Sequence, residues 1–227
     1  MKGILLTEEM FLAATRKKKP KTQTRRIESS LSTINESPND WIVKPHFNNT
    51  FFVMSIDGQC MGEIKPRYKK GEIVYLKEPF RLPSEQFKGR KTILQNPIVD
   101  FRFGGNESRF VVLSGKTAHA LTKWKSMGKW VSPMMMFEDF ARYKIKIVNV
   151  RCERLKSISE QDCIAEGVEQ NANSPYTRPS WRNYQDPSIH LLSPVSSYRT
   201  IIEGIHGKEL WNANPWVFVY EFKLSKL

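Results

Sequence analysis

Apolar and polar residues alternate most clearly at Tyr143-Lys144-Ile145-Lys146-Ile147, a period of two that predicts a β-strand. The alternation blurs at Val148-Asn149-Val150, where that strand is expected to bulge or end. A second such run places Trp216, Phe218, Tyr220 and Phe222 on one side of a strand, with Glu221 on the other. Ile4–Leu6, Phe51–Ile56, Gln59–Lys65 and Ile73–Lys77 read as further strands, and Asp57-Gly58 is a hairpin signal between the second and third. Helical signals are few. Thr7 stands where an N-cap belongs, Glu8 and Glu9 fill the first turn, Met10, Phe11 and Ala14 form an apolar stripe, and Pro20 is the expected stop. Ser159 and Asp162 make a capping pair for a short helix that Gly167 ends, and Ser197 to Ile205 reads as another helix. Residues near 28–49, 81–125 and 170–194 read as insertions; 28–49 and 170–194 are rich in Ser, Asn and Pro, and 81–109 mixes Pro, Gly, Asn and charges. Many strands and few short helices imply one α+β domain over residues 1–227, built on a small, partly closed barrel with helices at its ends.

Charge sharpens this reading. The chain has 36 Lys and Arg against 23 Asp and Glu, a net of +13. Residues 1–130 hold 24 basic and 12 acidic residues, whereas 131–227 hold 12 and 11. A field concentrated in one half suits a polyanionic partner. The competing expectation is a solvated basic surface. Cys60, Cys152 and Cys163 show no CxxC spacing, and His46, His119, His190 and His206 lie far apart, so neither a disulfide framework nor a metal site is expected. No apolar run approaches the length of a membrane span, and the N-terminus turns acidic too soon for a signal peptide. A cytoplasmic protein without membrane contact is expected.

Three places could carry chemistry. The first is the cluster Arg16, Lys17, Lys18, Lys19, Lys21, Arg25 and Arg26, interleaved with Thr22, Gln23 and Thr24. Its donors suit phosphate oxygens, and like charges around Lys21 disfavour the protonated amine, as a base or nucleophile requires. It reads equally as an exposed loop. The second is Glu166, which sits at the unfavourable negative end of the capped helix, at a cost of a few tenths of a kcal/mol. Glu78, after a strand and before Pro79-Phe80, either faces a cleft or pairs with one of the many lysines. The third is Trp124 and Trp130 among Lys123, Lys125 and Lys129, a pattern that stacks bases, although an indole at 130 also fits a core. There is no P-loop, GxGxxG or GxSxG element, and no cofactor is expected.

Four segments, in order, resemble the ASCH family and its larger bacteriophage and prophage members. They are Lys21-Thr22-Gln23-Thr24-Arg25-Arg26, similar to a K-T-x-T-x-R element; Gly71–Phe80, similar to a strand ending in R-E-T-W; Lys129–Met134 with Arg142 and the run to Gly167; and Trp211–Phe222, similar to a W-D-A-N-P-W ending. Pro20, Phe80 and Phe137 depart from that pattern. The resemblance implies a PUA-like barrel with a cleft for RNA or a modified base. Some small members remove the acetyl group of N4-acetylcytidine, and others are linked to RNA cleavage. In the deacetylating members a lysine, a threonine and a helix glutamate act together, which places Lys21, Thr24 and Glu166 in catalytic positions here.

Three functions are therefore expected to compete. One is a module that binds RNA or a modified nucleotide through Lys19, Lys21, Arg25, Arg26, Glu78 and Trp130. Another is a hydrolase using Lys21, Thr24 and Glu166 on an acylated nucleoside or on RNA. The last is a phage protein-interaction module.

Overall fold

The computed structural model describes residues 1–84, 96–105, 107–122, 124, 126–172 and 177–226. In chain order the elements are β1 (Lys2–Leu5), α1 (Glu8–Thr15), β2 (Gln23–Arg26), α2 (Ser32–Glu36), β3 (Trp41–Pro45), β4 (Phe51–Ser55), β5 (Cys60–Ile64), β6 (Ile73–Lys77), β7 (Phe80–Arg81), β8 (Ile98–Phe101), β9 (Glu107–Phe110), α3 (Gly115–Thr122), β10 (Tyr143–Arg154), α4 (Glu160–Ala165), β11 (Trp181–Arg182), β12 (His190–Leu191), α5 (Pro194–His206), α6 (Lys208–Ala213) and β13 (Trp216–Lys226). The architecture is α+β. No described helix is long and apolar enough to cross a membrane.

The chain divides into two compact units. One comprises Met1–Arg16, Ile73–Lys146 and the residues from Leu224 on; the other comprises Lys17–Glu72 and Ile147–Lys223.

In the first unit β1 runs parallel to β6, and β6 pairs antiparallel with the start of β10, Ile145 opposite Val74. Gly3 lies across from Tyr75, and a Cβ there would sit 2.7 Å from the Tyr75 ring and closer still to the Lys77 side chain, so a larger residue would have to push those two side chains aside. β7, β8 and β9 form an antiparallel sheet whose inward residues Phe80, Val99 and Phe101 pack with Val111, Val131 and Phe140. Each such side chain contributes about 1.5–3 kcal/mol by leaving water. Within this core Arg142 binds Glu78 through both carboxylate oxygens, at 2.8 and 2.5 Å. It also donates to the Phe103 carbonyl, at 2.8 Å.

In the second unit the remainder of β10, β13 and β2 lie side by side in that order. β13 pairs antiparallel with β2, Tyr220 opposite Thr24 and Phe218 opposite Arg26. A three-stranded meander, β3-β4-β5, turns at Gly58, where φ is +85°.

The structure corrects several sequence readings. β10 does not end near Val148 but runs for 12 residues, because Arg151 and Glu153 find ion-pair partners that let polar residues remain in the strand. β13 is buried on both faces, with Val217 and Val219 as inaccessible as Phe218 and Tyr220. α1 stops at Thr15, five residues before Pro20, with Arg16 already extended. Residues 28–49 contain α2 and β3, and Asn35 binds both the amide (2.7 Å) and the carbonyl (3.0 Å) of Trp216 in the manner of a neighbouring strand. The 81–125 stretch contributes β7, β8, β9 and α3. Polar side chains here serve as local links, which composition alone reads as loop.

Candidate functional site

The last carbonyls of a helix have no partner within it. α4 begins at Ser159, whose Oγ accepts from the Asp162 amide at 3.1 Å, and it is capped by Glu166 before Gly167, where φ is +100°. The chain just ahead of β2 supplies the missing donors. The Thr22 amide donates to the Ala165 carbonyl at 2.8 Å, and Lys21 Nζ donates to the Glu166 carbonyl at 2.7 Å. The same ammonium donates to Glu166 Oε2 at 2.6 Å. Lys21 is 1% exposed and Glu166 3%. β13 fixes this segment from the other side, because the Phe222 amide donates to the Thr22 carbonyl at 2.7 Å. A cation at the negative end of a helix is favourable, and here it also neutralises the carboxylate that α4 alone would disfavour.

Burial pushes Lys21 below the ordinary lysine range, against the opposing pull of Glu166, with smaller contributions from Arg26 and Arg25. The sequence expectation credited cationic neighbours; loss of water is the larger cause. Arg25 holds the other Glu166 oxygen at 3.3 Å, together with Glu153 at 2.5 Å and Asp162 at 3.1 Å. Burial opposes its charge, but Glu166, Tyr198 and Glu153 hold its pKa above the usual value. Arg151 reaches the same Asp162 and also pairs with Glu221. Burial works against the Asp162 charge as well, yet Arg25 and Arg151 keep its carboxyl below the usual aspartate range.

Tyr198, on α5, is a member of this centre that sequence reasoning missed. It is fully buried, and loss of water together with Glu166 raises its phenol well above the usual tyrosine value. Pro194, Ser197, Tyr198 and Ile201 share the buried face of α5 at helical spacing. That spacing marks a packed residue, but nothing in it marks a phenol beside Glu166.

Successive strand residues point to opposite faces. Gln23 and Arg25 therefore share one face of β2, and Thr24 and Arg26 share the other with their partners Tyr220 and Phe218. The Tyr220 hydroxyl donates to Glu28 at 2.7 Å and accepts from the Arg67 amide at 3.1 Å. Tyr68 stands edge-on to Tyr220, with ring centres 5.3 Å apart. Beside them opens a cleft of about 370 Å³, lined by Arg26, Ile27, Glu28, Ser29, Ser30, Lys65, Arg67 and Tyr68. Three cations face one carboxylate there. Burial is the main cause that lowers the Arg26 pKa and raises that of Tyr68.

The structure thus brings Lys21, Glu166 and Arg25 together. Thr24 is buried on the same strand but on the face opposite Arg25. Lys19 is exposed, with a left-handed backbone at φ +47°. Arg26 lines the cleft, whereas Arg25 is committed to three carboxylates. Glu78 belongs to the first unit, is 0% exposed, and serves Arg142 instead of facing a cleft. Trp130, also in the first unit, is 38% exposed and is not core; the Arg81 guanidinium lies 5.1 Å from its ring centre. Trp124 packs against Phe80 and Phe137. Lys123 and Lys125 lie outside the described residues. Among the described residues no group of three or more His, Cys, Asp or Glu side chains is placed to hold a metal ion.

No protein-family model, curated protein or solved structure matches the chain.

Proposed function

We propose that this chain is an ASCH-type domain of PUA-like fold that binds single-stranded RNA or a modified nucleotide through the cleft beside β2. The observation that carries this reading is the cleft's composition. Arg26, Lys65 and Arg67 supply positive charge, Ser29 and Ser30 supply hydroxyl donors, and Tyr68 supplies an aromatic edge, in a volume of about 370 Å³. Small-molecule sites begin at about 300 Å³, so the cleft suits one nucleotide and not a folded polymer. The Lys21–Glu166–Arg25 centre then acts as the rigid support that fixes β2, and with it Arg26. Affinity for a short single-stranded RNA is expected to fall steeply between low and moderate salt, and Arg26→Ala and Lys65→Ala should each flatten that dependence. An affinity indifferent to salt and to both substitutions would remove the reading.

A second reading has its own support in the 2.6 Å contact of Lys21 Nζ with Glu166 Oε2. A buried lysine with a lowered pKa beside a carboxylate can take up and return a proton. In a hydrolase of acylated nucleosides, Lys21 would activate water and Glu166 would carry the proton to the leaving amine, while Thr24, on the face of β2 opposite Arg25, would have no part in that step. Arg26 connects the two arrangements, since its charge is felt at both Lys21 and Glu166. Acetate release from N4-acetylcytidine, lost in Lys21→Ala at a temperature where that variant remains folded, is the expected result. A wild-type chain that releases no acetate leaves the binding reading alone.

A further inference from the structure

The first unit holds an exposed aromatic face that the cleft reading does not use. Arg81 on β7, Asp100 on β8 and Ser108 on β9 are successive cross-strand partners. Their side chains meet on one side of the sheet: Arg81 donates to Asp100 Oδ2 at 2.9 and 2.7 Å, and Ser108 Oγ donates to Asp100 Oδ1 at 2.7 Å. That side is the outer one, because Phe80, Val99 and Phe101 fill the inner one. Trp130 stands over the Arg81 guanidinium on this outer side. Phe110 lies two residues beyond Ser108, so it projects the same way, and it is 72% exposed. On a flat sheet, two strand spacings and one residue pair set the backbones of Arg81 and Phe110 roughly 12 Å apart.

Two rings, Phe110 and Trp130, thus lie open on one face of the sheet, and an open aromatic ring is a surface on which a base can stack. Residues 73–146 carry 14 Lys and Arg against 6 Asp and Glu, a net of +8 out of the chain's +13. Several of those acids are engaged internally: Glu78 and Glu107 with Arg142, Asp100 with Arg81, and Asp139 with Ser114. The described part of residues 73–146 holds 9 Lys and Arg against 5 Asp and Glu; the exposed Lys129 adjoins Trp130, and Arg109 precedes Phe110 on β9. Arg81 keeps Asp100, so it contributes a plane beside the indole and no net charge.

We infer that the outer face of β7-β8-β9, through Trp130 and Phe110, is a stacking platform for the bases of a single-stranded nucleic acid. It rests on the nucleic-acid reading proposed above and adds to it a second contact, one that grips any base sequence. Stacking on an aromatic ring is tolerant of sequence, because every base has a flat face.

The test is fluorescence anisotropy with a labelled twelve-nucleotide oligouridine. Phe110→Ala and Trp130→Ala should each weaken binding by about 5- to 100-fold. Neither should change the steepness of the salt dependence, since a ring releases no counterions, whereas Arg26→Ala should change it. The oligonucleotide should also quench tryptophan emission in the wild type and do so less in Trp130→Phe. Both aromatic residues are exposed, so unchanged melting temperatures are expected and will separate lost contact from lost fold. Wild-type affinity in both alanine variants overturns the platform, and a loss confined to Arg26→Ala then leaves the cleft reading standing. An oligonucleotide that does not bind the wild type overturns the platform and the RNA form of the cleft reading, which a single modified nucleotide that does bind would still support. Variants that change self-association but not oligonucleotide affinity assign the face to a protein contact and overturn the platform.

Discussion

Lys21 and Glu166, 145 positions apart, meet twice: the lysine ammonium donates to the glutamate's backbone carbonyl at 2.7 Å and to its side-chain oxygen at 2.6 Å. One cation thus closes a helix end and neutralises the residue at that end. A contact of this kind serves the fold whether or not it serves a reaction, and the two roles separate on mutation.

Removing one partner of a buried ion pair leaves the other charge unpaired and costs about 3–5 kcal/mol. Glu166→Gln should destabilise by roughly that amount in urea unfolding, and Lys21→Met by less, because Arg25 still holds the other Glu166 oxygen at 3.3 Å. The double variant should lose clearly less than the sum of the singles, because neither charge is then left buried. Strict additivity would show that the pair is not coupled.

The acid side of the stability profile should depend on Asp162. Arg25 and Arg151 hold its carboxyl below the usual range in the folded chain, so the unfolded chain binds more protons in that window. The resulting stability is fully present above the unfolded pKa near 4 and is lost as pH falls through the lower folded value. Asp162→Asn should therefore reduce the melting temperature at pH 7, with the gap to wild type narrowing as pH falls below the unfolded value near 4. A constant gap from pH 7 to pH 2 would contradict this.

Glu78→Gln isolates structure from binding. The substitution leaves Arg142 buried with a weakened partner, and a loss of about 3 kcal/mol in stability is expected. Nucleotide affinity at a temperature well below the transition should not change. A specific loss of affinity in the folded variant would return Glu78 to the binding surface that its sequence position first suggested.

Tyr220→Phe removes a hydroxyl that donates to Glu28 and accepts from the Arg67 amide. The expected cost is about 0.5–1.5 kcal/mol, the net worth of the lost bonds, because the Arg67 amide keeps its 2.8 Å bond to Glu28 and neither partner is fully buried. Ligand affinity should fall as well, because Glu28 and Arg67 line the cleft. Retained affinity with lowered stability would confine the hydroxyl to a structural role.

The elements with a clear local signature were legible in the sequence. Ile73–Lys77 is a strand as its run of apolar residues requires, Thr7 and Ser159 cap their helices, and the Asp57-Gly58 turn joins β4 to β5. The capped helix ending at Glu166 and the cationic element at Lys21 were each visible, but their depth was not. Burial of a lysine depends on what closes over it, and the contacts of the Lys21–Thr22 segment come from β13 and the end of α4. The Glu78–Arg142 pair shows the same limit: each residue reads as a surface charge until the sheet between them closes. Polar segments that bind backbone, such as Asn35 on Trp216, read as loop because their partners are distant in sequence.

β2 gains its hydrogen-bonded neighbour only when β13 has been made, and Lys21 gains its acceptors only when α4 has been made. During synthesis the early cationic segment must therefore wait, charged and wet, for most of the chain to emerge. Local helices and the β3-β4-β5 meander can form meanwhile, but the centre closes late, in a slow step that spans nearly the whole polypeptide. A ribosome-stalled nascent chain halted before Trp216 should accordingly leave Lys21 open to amine-reactive labels that the finished fold excludes.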